Sequence, residues 1–274
     1  MHVNDPLAWL TELEGVSSAF AATRDGIDVM LRDRGLRRTS PEQTAESLLR
    51  GAAASAALEG STSSLEAVRA GDGDALAVAA VRISTELLSL APVVRRSPVQ
   101  ALARLHTLAG GLAPGHPVSP EASARLQALG RTLLVTSAPA LMVAALAHAE
   151  VLTAAPFAGG NGLVARAFER LVMVSRGVDP ASLVVPEAGH HELVAAYESN
   201  LRAYRRGGRA GVQAWLLYAA EAQTRGAEAS PLRSSALFPW SNEPAPDAPE
   251  SAPVPGPSPV LGAATLPEPR APQS

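Results

Sequence analysis

A glycine-rich turn follows the most apolar segment of the chain, and its residue types could bind an anion. Residues 153–166 read TAAPFAGGNGLVAR. The glycines permit positive φ and leave backbone N–H groups uncovered, and a new helix is predicted to begin directly after them. The positive end of that helix and Arg166, about one turn inside it, would lie beside the same space. The segment predicts either a phosphate-sized anion site or a plain helix–turn–helix connection capped by glycines.

The residues just before the glycines should end one helix and fix the turn. Pro156 fits poorly in a continuing helix and disfavours helical geometry for the preceding residue, so Ala155 is expected to be extended. Phe157 is then available to anchor the turn in the core. His148 lies about 10 Å before Ala155 along the helix and is interpreted as a packed histidine with a hydrogen-bonded ring.

A second stretch places a carboxylate at the end of another helix. Residues 52–68 read AAASAALEGSTSSLEAV, with Ser55 and Glu59 one turn apart and Gly60 as the predicted helix end. Glu59 has no basic residue at helical spacing in its own helix. It is therefore either an exposed residue near the helix end or a packed carboxylate that needs a partner from elsewhere.

Together the two stretches resemble the Fic family, whose members transfer AMP or related groups from nucleotides to protein hydroxyls. The family motif, His-Pro-Phe-x-Asp/Glu-Gly-Asn-Gly-Arg-x-x-Arg, joins two helices of an α-helical core, and an inhibitory motif reads Ser/Thr-x-x-x-Glu followed by Gly or Asn. The sequence matches them at Pro156, Phe157, Gly160, Asn161, Gly162 and Arg166, and at Ser55, Glu59 and Gly60. The resemblance implies nucleotide- or anion-binding roles for Gly160, Asn161, Gly162 and Arg166, and an inhibitory element formed by Ser55, Glu59 and Gly60.

The resemblance extends over about residues 40–225, through ALARLHTLAGGLAPG (101–115) and LAHAEVLTAAPF (146–157). Three departures from the motif remove chemistry. Ala155 stands in place of the catalytic histidine, which acts as the general base. Gly159 replaces the acidic residue that holds Mg²⁺, and Leu163 replaces the first arginine, which grips phosphate.

These departures favour a catalytically degenerate Fic-like protein, a nucleotide- or partner-binding module without adenylyltransferase activity. The alternatives are a diverged Fic-type transferase that modifies protein hydroxyls, and a structural or interaction protein with an empty pocket. ATP or another nucleotide is the ligand to expect, without Mg²⁺ or any other metal. The expected partners are another protein or a second copy of the chain.

Composition excludes several other classes. The chain has no cysteine and all 23 basic residues are arginine, so thiolate and lysine chemistry are absent. A net charge of −3 gives no general attraction for nucleic acid or an anionic membrane. Without a visible secretory signal or an unbroken apolar span, the chain is expected to be a soluble cytoplasmic protein.

The pattern of caps and apolar residues predicts an all-α fold of roughly ten helices. Capping residues followed by proline mark four starts, at residues 5–6, 40–41, 97–98 and 119–120, and glycines mark several ends. The expected organisation is a helical extension over 1–39, a Fic-like helical domain over 40–228 and a disordered, proline- and alanine-rich tail over 239–274.

Three further groups of residues have side chains that could be functional, but each is interpreted as structural. PEAGHHEL (186–193) lies in an expected loop and is interpreted as a helix cap, not as a metal site. The arginine cluster near Tyr204 is interpreted as a solvated helix end instead of a nucleic-acid surface. Trp215 and Tyr218 are expected in the core. The residues of the first two groups are Glu187, His190, His191 and Glu192, and Arg202, Arg205, Arg206 and Arg209.

Overall fold

The computed structural model describes residues 5–32, 40–110 and 116–233. Those residues are helical and contain no strand, which confirms the predicted all-α class. Two short 3-10 helices span Ala8–Glu12 and Leu88–Leu90. The α-helices are α1 Val16–Arg32, α2 Pro41–Leu58, α3 Leu65–Ala70, α4 Ala75–Glu86, α5 Ala91–Val94, α6 Pro98–Leu108, α7 Pro120–Val135, α8 Ala140–Ala154, α9 Asn161–Ser175, α10 Pro186–Glu192, α11 Val194–Arg206 and α12 Gly208–Glu228.

The described residues form twelve α-helices, more than the predicted ten. Three of them, α3, α5 and α10, are too short to give a clear periodic signal in the sequence. The proline starts of α2, α6 and α7 are confirmed, and Ser40 and Gln43 form the expected capping box. Ser119 also caps α7, whereas Ser97 makes no capping bond from its side chain at the start of α6. Near the N-terminus, Asp5 and Pro6 precede a 3-10 helix instead of an α-helix.

Helices α8 and α9 form a helical hairpin at the centre of the core. Ten residues of α8 are buried, and almost every residue of α9 from Gly162 to Met173 is buried as well. α12 packs along α1, α8, α10 and α11, and α2 packs against α4, α9 and α10. The turn that joins α8 to α9 is therefore held by the most buried pair of helices in the described chain.

The central helix α9 is unusual because it buries charged side chains as well as apolar ones. Arg166, Glu169 and Arg170 are each at most 1% exposed. Burying an unpaired charge is costly, so each needs partners from the surrounding helices.

The predicted boundary at residues 39 and 40 adjoins residues 33–39, which are outside the described part of the chain, as is the predicted tail over 239–274. The described residues belong to one compact unit. Among them no single helix has the length and apolar character needed to cross a membrane. α4 and the following Leu88–Val94 segment meet that test as a pair bent by 47°, on length and composition alone.

Candidate functional site

The segment between α8 and α9 is a tight turn closed by the side chain of Asn161. Pro156 and Phe157 are buried, and Gly160 has a φ of 68°. Asn161 Nδ2 donates to the carbonyl of Phe157 over 2.8 Å, and Asn161 Oδ1 accepts from the N–H of Phe157 over 3.0 Å. Both polar groups of the Asn161 side chain are therefore used to hold the turn.

Ala155 is not extended, so that expectation is wrong. Its φ of 41° and ψ of 57° place it in the left-handed region, where it caps α8 by donating its N–H to the carbonyl of Val151 over 3.1 Å. The cap satisfies a carbonyl at the helix end, although the left-handed conformation costs an L-residue about 1–2 kcal/mol. The side chain at this exposed position is a methyl group, which cannot take up a proton.

Two neighbouring segments pack against the turn. The His106 ring of α6 stacks on Phe157 with centroids 4.2 Å apart and an interplanar angle of 7°, and it hydrogen-bonds the backbone of Gly159. Burial lowers the pKa of His106, so its ring is neutral near pH 7. The N–H of Val118 donates to the carbonyl of Pro156 over 2.8 Å. These contacts fix the turn as a rigid feature of the core.

Glu59 of the second stretch reaches the first turn of α9. α2 ends at Leu58, and Gly60 follows with a φ of 96°. Glu59 Oε1 lies 2.7 Å from Arg166 Nη2. A Cβ atom placed on Gly162 would lie only 1.9 Å from the same carboxylate oxygen, so the carboxylate is pressed against the backbone at the start of α9. The structure thus brings the two separated stretches together through a carboxylate.

The remaining bonds of Arg166 go to the protein as well. Its Nε donates to Ser55 Oγ over 2.9 Å, and its Nη2 donates to the carbonyl of Ser55 over 3.0 Å. Its Nη1 donates to the hydroxyl of Tyr197 over 3.3 Å. The Arg166 side chain is 1% exposed and that of Glu59 is 28% exposed. Most of the hydrogen-bonding capacity of Arg166 is used internally, and Glu59 is the more exposed member of the ion pair.

Behind Arg166 a buried hydrogen-bond chain runs from Tyr197 to Glu169. Tyr197 Oη lies 3.0 Å from His148 Nε2, and His148 Nδ1 lies 2.6 Å from Glu169 Oε2. His190 Nε2 lies 2.8 Å from the same oxygen, and its Nδ1 lies 2.8 Å from Tyr218 Oη. His148 is therefore a buried, hydrogen-bonded histidine, which agrees with its interpretation from the sequence.

The protonation states follow from burial and from neighbouring groups. Burial lowers the pKa of His148 to about 4, so its ring is neutral at pH 7. Burial alone would raise the pKa of Glu169, but the facing His190 and His148 hold it well below its usual range. Every hydrogen bond in this buried network has a donor and an acceptor when Tyr197 donates to His148 and both histidines donate to the Glu169 carboxylate.

His148, Glu169 and His190 also offer the atom types that ligate metals, with their ligand atoms all within 4.8 Å of one another. Their contacts of 2.6 Å and 2.8 Å are hydrogen-bond distances, and each of the three side chains has a second partner on its other polar atom. These hydrogen bonds explain why the three side chains lie together. They form part of the buried network that positions Arg166.

The roles of Glu169 and Tyr197 were not predicted from the sequence. Glu169 lies one helical turn after Arg166, which signals a second polar residue on the buried face of α9. Tyr197 is distant in sequence, and no local pattern indicates its contact with Arg166.

The three departures from the family motif occupy different environments. Ala155 and Gly159 are exposed, and a Cβ on Gly159 would meet nothing within 4 Å. Leu163 is 3% exposed and contributes to the apolar core. An arginine at position 163 would therefore need a changed core, whereas residues 155 and 159 have room for larger side chains.

The interpretation of residues 186–193 as a loop is wrong, because Pro186–Glu192 form α10 with proline in the first turn. Helical geometry divides the four polar residues between two faces. Glu187 and His190 are buried, and His191 and Glu192 are exposed. Glu187 Oε2 lies 3.2 Å from Arg170 Nη1, so Glu187 belongs to a buried ion pair between α9 and α10.

The arginine cluster lies at the end of α11 and the start of α12. Arg202, Arg205 and Arg206 are exposed, and Arg209 lies 3.3 Å from Glu12. Trp215 and Tyr218 lie in the core, as predicted from their spacing. Trp215 is fully buried, and its Nε1 donates to the carbonyl of Ala145 over 2.8 Å.

The central hairpin, its closed turn and the surrounding helices define the class of this protein, which is an all-helical chain with the Fic fold. A Fic family protein from Desulfovibrio desulfuricans G20 superposes with a TM-score of 0.62 and 18% identity, over 80% of this chain and 74% of that one. Fic-1 from C. elegans, as a fragment, superposes with a TM-score of 0.60 and 19% identity, over 78% and 71% of the two chains.

A single-substitution variant of the same C. elegans fragment superposes with a TM-score of 0.53 and 18% identity, over 76% of this chain and 70% of that one. No protein-family model matches the sequence, and no curated protein matches it. At these identities the comparisons show the fold.

Proposed function

We propose that this chain is a catalytically degenerate Fic-fold protein, a binding module without adenylyltransferase activity whose anion site is occupied by its own Glu59 carboxylate. The contact between Glu59 Oε1 and Arg166 Nη2, at 2.7 Å, carries the proposal. The carboxylate lies at the start of α9, where backbone N–H groups and the helix dipole favour an anion.

The turn lacks the groups that a Fic-type transfer would use. The resemblance assigns proton abstraction to position 155, metal binding to position 159 and phosphate binding to position 163, which hold Ala155, Gly159 and Leu163. Near the turn, His106 is stacked on Phe157 and hydrogen-bonded to backbone, so its ring supports the turn. His148 is committed to the buried chain behind Arg166.

A nucleotide would reach Arg166 only after Glu59 moves away. The partly exposed Glu59 side chain can rotate into solvent, whereas Arg166 is fixed by Ser55 and Tyr197. The proposed module therefore binds a nucleotide weakly in its resting state and more tightly when another interaction displaces Glu59.

The test is incubation of the purified protein with radiolabelled ATP, with and without Mg²⁺, alone and with a protein extract. We expect no label on the chain or on any other protein. Transfer that requires this chain, and that is lost in Arg166→Ala, would establish the alternative of a diverged transferase.

A further inference from the structure

A basic groove lies on the outer surface between α6 and α7. It has a volume of about 380 Å³ and shares no residue with the candidate site. Gly130 of α7 allows the two helices to approach closely, because a Cβ there would lie 2.8 Å from Val99 Cγ2. The lining residues are Arg96, Ser97, Pro98, Val99, Gln100, Ala103, Gln127, Gly130, Arg131 and Leu134.

The two charged residues that line this groove, Arg96 and Arg131, are both arginines. Residues 87–135 contain five arginines and a single acidic residue, Glu121, in a chain whose net charge is −3. Glu121 lies in the first turn of α7, about 9 Å along the helix from Gln127. Arg125 pairs with Glu150 at 2.9 Å. Among the described residues no carboxylate forms an ion pair with the other four, which are Arg95, Arg96, Arg104 and Arg131.

The groove also has an apolar surface and neutral hydrogen-bonding groups. Pro98, Val99 and Leu134 line it, and Leu134 is 51% exposed. Gln100 and Gln127 are exposed on either side, where their amides can pair with the N–H and C=O groups of an extended chain. Surfaces that combine an exposed apolar patch with polar edges are typical of protein-binding sites.

We propose that this groove binds an acidic segment of a partner protein in which an apolar residue is flanked by aspartate or glutamate. The apolar side chain lies on Val99 and Leu134, and the flanking carboxylates pair with Arg96 and Arg131. Charge complementarity selects this occupant, since these arginines have no carboxylate partner within the described chain. None of the described residues that line the groove is aromatic, so they offer no surface for base stacking, which argues against single-stranded nucleic acid.

The probe is a fluorescein-labelled peptide built from repeated Glu-Leu-Asp units, titrated with the full chain and followed by anisotropy at low and at physiological salt. Two probes of equal charge serve as comparisons: a peptide with serine in place of leucine, and an oligothymidylate. We expect saturable binding of the leucine peptide, weakened by salt, and weaker binding of both comparison probes.

Two pairs of variants locate the binding. Arg96→Glu with Arg131→Glu should lower the affinity at least about tenfold, whereas the matched reversal Arg205→Glu with Arg206→Glu, on α11, should leave it unchanged. Leu134→Gln should weaken binding, and Val135→Gln, which is exposed beside it but does not line the groove, should not. Thermal unfolding of each variant checks that it folds.

Four outcomes would overturn the proposal. They are the absence of saturable binding by the leucine peptide, equal losses in the two double reversals, equal affinity for the serine peptide, and tighter binding of the oligothymidylate. The last outcome would assign the surface to nucleic acid.

Discussion

At the scale of single residues, the candidate site is defined by what touches Glu59. Its carboxylate lies against Gly162 and pairs with Arg166. The motif positions therefore differ in the size of side chain that they can accommodate. The Glu59 carboxylate fills the space that a side chain at position 162 would need, whereas position 159 has open space around it.

Gly162→Ala tests this contact. Alanine normally favours a helix over glycine by about 1 kcal/mol, so a loss of stability must come from displacement of the Glu59 carboxylate, which leaves the buried Arg166 without its ion-pair partner. We expect the variant to lose about 1–3 kcal/mol in free energy of unfolding, measured by urea denaturation. Gly159→Ala is the matched control and should stay within about 0.5 kcal/mol of the parent. Equal stability of the two variants would mean that Glu59 does not lie against α9.

Only part of the candidate site could be predicted from single residues in the sequence. The pairing of Glu59 with Arg166 depends on two stretches about one hundred residues apart, and the sequence supplied both only through a family resemblance. The conformation of Ala155 was missed because the bias imposed by proline was outweighed by the need to cap α8. Tyr197 was missed because a single tyrosine carries no spacing signal.

At the scale of helices, buried arginines on α9 join elements that are distant in sequence. Arg170 donates to the Oγ and carbonyl oxygens of both Ser47 and Ser182, and it pairs with Glu187. These bonds link α2, α9, α10 and the segment before α10. Gly51 of α2 leaves the space that the Arg170 guanidinium occupies.

Gly51→Ala is predicted to disrupt this junction. Its Cβ would lie 2.3 Å from Arg170 Nη1 and 2.9 Å from Glu187 Oε2, so the buried ion pair would have to shift. The expected loss is about 2–4 kcal/mol in free energy of unfolding. Gly26→Ala in α1 meets nothing within 4 Å and should instead stabilise the protein by about 0.5–1 kcal/mol. A neutral or stabilising Gly51→Ala would contradict the described packing.

The helices themselves were well predicted from local signals, because capping residues, prolines and glycines act within a few residues of where they stand. Ser40 and Ser119 cap the starts of their helices as expected, and Gly71 is one of the glycines that end a helix. Helix α10 was not predicted, since GHHEL has weak helical preference and forms its helix by packing on α2 and α12.

At the scale of the whole molecule, the buried His148 makes stability depend on pH. Its pKa is lowered from 6.5 to about 4 because burial disfavours the charged ring, so the unfolded chain binds a proton more readily than the folded one. Stability is therefore fully present above pH 6.5 and falls as the pH drops toward 4.

Urea denaturation between pH 7 and pH 5 measures this effect, since carboxylates contribute little in most of that range. We expect the free energy of unfolding to fall on acidification, and the slope to be smaller in His148→Gln, because that variant lacks the ionisable ring. His191→Gln removes an exposed histidine and should retain the slope. An unchanged slope in His148→Gln would contradict the lowered pKa of His148 in the folded protein.

The Fic fold and the proposed occupation of the anion site by Glu59 make one further prediction about ligands. Glu59→Gln keeps the size of the side chain and removes its charge, so another anion displaces the residue 59 side chain from Arg166 more easily. Glu42→Gln, on the exposed start of the same helix α2, is the matched control.

The most direct test is titration calorimetry of ATP, without Mg²⁺, into the parent, Glu59→Gln and Glu42→Gln proteins. We predict weak binding to the parent and to Glu42→Gln, and affinity at least about tenfold higher for Glu59→Gln. Equal affinity in all three proteins, or no binding to any of them, would contradict the proposal that Glu59 occupies a nucleotide-binding anion site.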